Sequence, residues 1–326
     1  MPNRTSQLQG HTEESAARGP AAAGTASEGP PDLHIRLVPK RHPGRLVGAG
    51  LVGLALAAGA WSVVTNPRFQ WDVVGQWLTA RTVMEGLWLT LWLTALSMAA
   101  GIAIGIVLAV MSSSRNRLLS GSAAAYVWFF RGTPLLVQLL FWFNMSAVYP
   151  RIVVGLPFGG PELTSFSANH VITPMTAAFL GLALHESAYM AEIVRAGILS
   201  VPEGQIRAAS ALGMTRLQTM RKIVLPQAMR VIVPPTGNQT ISMLKTTSLV
   251  SVLAIPDLLY SAQIVYSRNF QTIPLLIVAT ILYLVTVSVL TLLQSWIERK
   301  FSPDAEPRGQ RSRTWSRTTA ADRRPS

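Results

Sequence analysis

Residues 200–226, SVPEGQIRAASALGMTRLQTMRKIVLP, form a polar and basic break between long apolar runs. The runs on either side read as membrane spans, so the break is a cytoplasmic loop. Its signals are too ordered for a plain connector. Ser200-Val201-Pro202-Glu203 fits a capping box, with the serine hydroxyl on early amides, Glu203 reaching back and proline in the first turn. The helix so opened carries Ile206, Ala208, Ala209, Ala211 and Leu212, and stops at Gly213, a left-handed terminator. Thr215-Arg216-Leu217-Gln218 is a second capping box. Its helix sets Leu217, Met220 and Val224 on one stripe, with Arg216 and Lys222 off it, and Pro226 ends it. Two short capped helices with small residues suit a docking surface for another protein. They equally suit a hairpin resting on the membrane surface.

Composition sets the frame around this loop. The 326-residue chain is 49% hydrophobic and only 13% charged, with mean hydropathy +0.34. That is a membrane composition. The absence of cysteine excludes disulfides, thiolate zinc sites and cysteine nucleophiles. No G-x-x-x-x-G-K-[ST] loop is present to cradle phosphates, so any ATP hydrolysis belongs to another chain. No metal site and no cofactor is expected. Residues 1–44 are rich in Ala, Gly, Ser, Pro and Thr and read as a disordered cytoplasmic tail. Residues 302–326 read as a disordered basic tail.

Six apolar runs are long enough to be read as spans. They are Leu46–Val64, Gly86–Met111, Leu135–Tyr149 with a lead-in from Ala123, Val171–Ile193, Val231–Ile255 and Ile273–Trp296. Arg131, Pro234, Pro235 and Lys245 interrupt the third and the fifth. The first run follows Lys40, Arg41 and Arg45 and begins too late for a signal peptide, so residues 45–65 read as an uncleaved extra helix. With the N-terminus inside, 23 of the 28 Lys and Arg lie on inner segments. The outer loops hold only Arg68, Arg81, Arg151 and Arg268, and Lys245 lies within a span. This bias puts both termini and the 200–226 loop in the cytoplasm. It also explains the net charge of +13. The excess is topological, which argues against a nucleic-acid role and leaves lipid as the anionic partner.

Here a family becomes recognisable. The run RAASALGMTRLQTMRKIVLP resembles the "EAA" loop of permease subunits in ATP-binding-cassette importers: E-A-A, three residues, G, nine residues, I, one residue, L-P. Ala208, Ala209, Gly213, Ile223, Leu225 and Pro226 fit that spacing, and Met214 follows the glycine. Arg207 stands where the pattern has glutamate. FRGTPLLVQ (130–138), SAYMAEIVRAGILSVPEGQ (187–205) and GNQTISMLKTTSLVSV (237–252) resemble the polar-amino-acid permeases, the histidine/glutamine/arginine/opine group. The usual K-D-T-S-L reads Lys245-Thr246-Thr247-Ser248-Leu249 here. The resemblance covers about Glu85 to Phe301. It implies an all-α type I importer transmembrane domain over 82–301, a five-helix core plus the extra N-terminal span, in a bacterial inner membrane. It also implies partners: ATPase subunits that bind ATP and dock on loop 200–226, a second permease subunit (itself or a similar one), and an extracytoplasmic amino-acid-binding protein.

Polar residues inside spans are the candidate substrate contacts. Glu186 would neutralise a substrate ammonium or pair internally with His185 or Lys245. Tyr189, four residues after His185, lines the pathway or packs. Asn238, Gln239 and Ser242 follow Pro234-Pro235-Thr236-Gly237, which weakens the helix and frees carbonyls either for a substrate or for neighbouring helices. Lys245 meets a substrate carboxylate, snorkels or pairs. Gly101-x-x-x-Gly105 suits close packing within the subunit. Glu192 and Arg195 are spaced to pair with each other, and Arg131 to anchor a bent helix start. Two rival readings stay open on the residues alone: a stand-alone ion-coupled secondary amino-acid transporter, and a membrane-anchored regulator or scaffold whose specificity sits in its tails.

Overall fold

The computed structural model describes residues 43–155 and 162–301. Both tails read from the sequence as disordered lie almost wholly outside these residues. Up to Ser62 the chain forms one unit and from Val63 a second. Helix α1 (Pro43–Thr65) is exposed from Val47 onward. A short 3₁₀ turn at Pro67–Phe69, capped by Asn66, leads to α2 (Trp71–Trp77) and α3 (Arg81–Ser112). Then come α4 (Arg117–Gly132) and α5 (Leu135–Val148). An antiparallel hairpin follows, β1 (Arg151–Gly155) with β2 (Glu162–Ser167), pairing Arg151 with Ser167. After α6 (Ala168–Val171) comes α7 (Pro174–Leu199), then α8 (Glu203–Ala211) and α9 (Arg216–Thr219). A π turn at Met220–Val224 runs into α10 (Leu225–Thr246). A 3₁₀ segment at Thr247–Leu253, α11 (Leu258–Asn269) and α12 (Thr272–Phe301) complete the chain.

Val47–Thr65, α3 and α12 are each long and apolar enough to cross a membrane. Two broken runs pass the same test as pairs, α4 with α5 bent by 105° and Arg216–Leu253 with α11 bent by 45°. These are the two runs that the sequence shows as interrupted. The fourth run, α7, has 26 residues, about 39 Å at helical rise, which suffices to span the hydrocarbon. It is less apolar because it carries His185, Glu186, Glu192 and Arg195. It can afford them because it is the central helix, packed by α3, α4, α5 and α10.

Small residues make that centre possible. Helices already in lipid gain little from hydrophobic burial and associate through close packing. The buried face of α7 is mostly Ala177, Ala178, Gly181, Ala183, Ser187, Ala188, Ala191 and Gly197. A Cβ on Gly101 of α3 would lie 2.9 Å from Glu186 Cβ, and one on Gly105 would lie 2.6 Å from Met190 Cβ. Both glycines therefore serve packing within the subunit, as their spacing suggests. The two contacts climb in the same order along both helices, so α3 and α7 run parallel. A second core joins α2, α3, α11 and α12 around Val74, Val83, Leu258 and Leu275.

The break between α4 and α5 has a clear cause. Pro134 disfavours helix at Thr133, which is extended (φ −110°, ψ 141°). The exposed carbonyls are met by the buried Gln138, whose Nε2 lies 3.0 Å from Phe130 O and 3.2 Å from Thr133 O. Irregular backbone at membrane depth survives only where protein satisfies it.

Candidate functional site

The loop of residues 200–226 is a helical hairpin, though it is built differently from its sequence signals at both ends. Ser200 does not cap α8. It ends α7, and its hydroxyl donates to Gly197 O at 2.7 Å. Pro202 is the residue before α8 and offers no side-chain cap. The helix before Ser200 runs on past Ile193 to Leu199, and its own carbonyls claim the hydroxyl first. Glu203, freed from the capping box, pairs instead with Arg207 at 2.6 Å, one turn along an exposed face.

The middle of the hairpin matches its sequence signals. Gly213 sits at φ +75°, Met214 N donates to Ala209 O at 3.1 Å and Gly213 N to Ser210 O at 3.0 Å. This is a Schellman termination, and it explains the glycine fully: a Cβ there would meet nothing within 4 Å, so backbone conformation alone selects it. Thr215 and Gln218 then form a reciprocal capping box.

The far end differs again. Pro226 does not stop the helix. It occupies the first turn of α10, where its missing N–H costs no regular hydrogen bond. The preceding π turn already breaks the ladder, with Leu225 N donating to Met220 O. The expected stripe also splits. Val224 is buried with Ala228 and Ile232, whereas Leu217 is 76% and Met220 42% exposed. Leu212 (82%) joins Leu217 at the tip, and Arg216, Arg221 and Lys222 are exposed beside them. Of the remaining hairpin residues, Arg207, Ala208, Leu225 and Pro226 are exposed, Met214 and Ile223 half-buried and Ala209 buried. The side chain of Gln227 bonds that of Gln205, tying the foot of α10 to α8.

The intramembrane candidates fall into three groups. Glu186 is buried on α7, and its Oε2 accepts from Gln239 Nε2 of α10 at 3.1 Å. Its partner is thus neither His185 nor Lys245. The two partners sit 53 residues apart in the chain, beyond any local pattern. Glu186 Oε1 and His185 Nδ1 have no hydrogen-bond partner among the described residues. His185 instead packs against Tyr189, ring centroids 5.1 Å apart and tilted by 49°, and the Arg131 guanidinium lies over the same Tyr189 ring. Glu192 pairs with Arg195 at 2.8 Å, as their spacing suggests.

The second group surrounds Pro234-Pro235. The helix passes through both prolines without breaking. Gln294 of α12 fills the gap, with Nε2 3.3 Å from Pro234 O and 3.0 Å from Asn238 Oδ1. Gly237 admits it, since a Cβ there would stand 2.7 Å from Gln294 Cγ. A neighbouring helix therefore satisfies the carbonyl that was a candidate substrate contact. The third group is Asn238, Ser242 and Lys245, spaced by four and three residues and exposed along one stripe of α10.

Some polar residues carry no signal in the sequence reading. Tyr126 of α4 lies 2.8 Å from Ser187 Oγ and donates to Leu184 O, tying α4 to α7. Asp257 caps α11 through Tyr260 N and meets Tyr283 of α12. The Asp257 cap is local and open to reading, but the Tyr126 and Tyr283 contacts join residues distant in sequence and only the fold reveals them. An apolar cavity of about 600 Å³ between α3, α7, α10 and α12 is lined by none of the seven intramembrane candidates. Among the described residues no group of His, Asp and Glu is placed to hold a metal.

Residues 101–303 match the family described as "Binding-protein-dependent transport system inner membrane component". The chain is 44% identical over 286 residues to the arginine transport system permease protein ArgU of Corynebacterium glutamicum, covering 87% of each. It is 35% identical to the L-cystine transport system permease protein TcyB of Bacillus subtilis, over 71% of this chain and 90% of that one. Among solved structures it is similar to an amino acid ABC transporter crystallised with histidines. The TM-score is 0.58 at 35% identity, over 67% of this chain and 94% of that one. The MetNI methionine ABC transporter in an inward-facing form shares the fold, with a TM-score of 0.52 at 21% identity.

Proposed function

We propose a transport mechanism on the footing that this chain belongs to the family of binding-protein-dependent transport system inner membrane components. It is the membrane-spanning subunit of an ATP-binding-cassette importer, a multi-pass membrane protein with no catalytic role of its own. A separate subunit hydrolyses ATP, and a binding protein delivers the cargo. The cargo is a polar amino acid, in keeping with the names of its relatives. The pathway lies between this subunit and a second permease copy or a similar chain. Both termini and the hairpin face the ATPase side.

One observation carries this reading. Asn238, Ser242 and Lys245 are exposed along a stripe of α10, within a run that is apolar enough to be part of a broken span. A lysine stripe does not face lipid tails, where a charge costs several kcal/mol, roughly 2.5–3.5 on insertion scales. It faces water or another protein, and a pathway shared with a second subunit supplies both. The same helix continues from the hairpin: Arg216–Leu253 forms one run through the π turn. A displacement of the docked hairpin therefore moves α10, its polar stripe and the Gln239–Glu186 bond together. When two ATPase subunits close on ATP they draw the two hairpins together. The spans then rock as rigid bodies and the pathway opens outward; hydrolysis reverses the motion.

Glu186 is the substrate contact with the clearest chemistry. Its unpartnered carboxyl oxygen is buried at the α7–α10 crossing, so an amino acid's ammonium reaches it only when α10 shifts against α7. Glu186→Gln is expected to lower uptake at least about tenfold, the equivalent of ~1.4 kcal/mol. The ATPase should remain bound to the complex. Normal uptake with a normal KM would remove Glu186 from the pathway.

A further inference from the structure

At the hairpin end of the molecule, α3, α4 and α7 border an open basin of about 670 Å³ with a mixed polar and apolar lining. Ser112 closes one side, Arg117, Ser120 and Trp128 of α4 the second, and Glu192 and Arg195 of α7 the third. None of the coupling or transport residues lines it. Glu192 is already engaged by Arg195 at 2.8 Å. Arg117 has no ion-pair partner among the described residues. The basin thus keeps one uncompensated positive charge beside two hydroxyls. Gly121 leaves its wall open, with nothing within 4 Å of where a Cβ would stand.

The wall itself is an interfacial element. Helix α4 turns 105° from α5 and so lies across the direction of that span. Trp128 is 76% exposed at the basin, and Leu118 (83%) and Phe129 (49%) project from the adjoining face of the same helix. Exposed tryptophan beside arginine marks the headgroup level of a bilayer. A cationic pocket between spans at that level suits a lipid phosphate. Exposed apolar side chains would be out of place in a site for a free ion.

The geometry points to this basin as a binding site for one anionic phospholipid of the phosphatidylglycerol kind. Its phosphate meets Arg117 and Arg195, its glycerol hydroxyls meet Ser112 and Ser120, and its chains lie along Leu118, Trp128 and Phe129. The leaflet follows from the orientation proposed above; the chemistry of the site does not depend on transport.

The test is native mass spectrometry of the full complex released from nanodiscs of mixed phosphatidylcholine and phosphatidylglycerol. One phosphatidylglycerol per permease chain should survive collision energies that strip the phosphatidylcholine. Arg117→Gln should cut its retention about fivefold, as expected for one cation at a membrane surface. Gly121→Leu, which fills the basin without altering charge, should do the same and carries the test if Arg117→Gln does not fold. Millimolar inorganic phosphate should not compete. Equal retention by wild type and both variants, or no preference over phosphatidylcholine, would overturn the site. Competition by phosphate would make it a free-anion site instead. Loss of the ATPase subunit with lipid retention unchanged would assign the basin to protein docking. Lipid retention is read without any uptake, so a failed transport function would leave this result standing.

Discussion

Two regions of this protein depend on glycine for opposite reasons. In the hairpin, Gly213 has open space around it and a backbone that a side chain resists, at φ +75°. At the α3–α7 seam, Gly101 and Gly105 have ordinary helical backbone and no space at all. The first glycine shapes an exposed surface that another protein can read. The other two let α3 close on the central helix, Gly101 against Glu186 and Gly105 against Met190. One region is specified locally by caps and turns, the other by contacts between helices far apart in sequence.

The difference predicts how each region fails. Gly105→Val drives a side chain into the Met190 backbone, which cannot step aside. It is expected to destabilise the fold by at least ~1–3 kcal/mol. Less monodisperse protein and a lower Tm in detergent would show this; an unchanged melt would break the packing account. Gly213→Val should leave that melt nearly intact, because its strain of about 1–2 kcal/mol falls on an exposed hairpin that opens locally without the helix core. It should reduce the ATPase that copurifies with the subunit. Were both variants to damage only the melt, the two glycines would be doing the same job.

Smaller effects sharpen the contrast. Thr215→Ala removes the capping hydroxyl of α9 and should cost about 1 kcal/mol of hairpin order. Faster amide exchange in residues 215–219, with α3 and α7 protected as before, is the expected signature. Arg207→Ala breaks an exposed pair whose side chains are 80% and 79% accessible. Its effect on stability should be no more than ~0.5 kcal/mol. Because Glu203 already neutralises Arg207, uptake should stay within about twofold of wild type, close to the effect of one exposed pair. A large loss would mean that the cation meets the ATPase directly.

The same contrast governs how much was legible beforehand. The Thr215 box and the Gly213 stop are short-range patterns, and both stand as read. The Ser200 box was equally plausible and fails, because a serine between two helices can serve either, and α7 runs far enough to claim it. Pro226 reads as a stop unless the π turn is known. In the membrane, Gly101-x-x-x-Gly105 announced a close approach without naming its partner. The Glu186–Gln239 bond and the Gln294 cover over Pro234 join residues 53 and 60 apart and leave no trace in periodicity. The short β1–β2 hairpin is a single isolated pair of strands and leaves little pattern in the sequence.

The hairpin tip is the proposed docking surface for the ATPase subunit. The chain has no cysteine, so one introduced thiol is unambiguous. Leu217→Cys, at the exposed tip, should crosslink to the ATPase subunit in transport-competent membranes, with a yield that changes when ATP is added. Active uptake with no crosslink to the ATPase from this position or from Leu212→Cys would contradict the account.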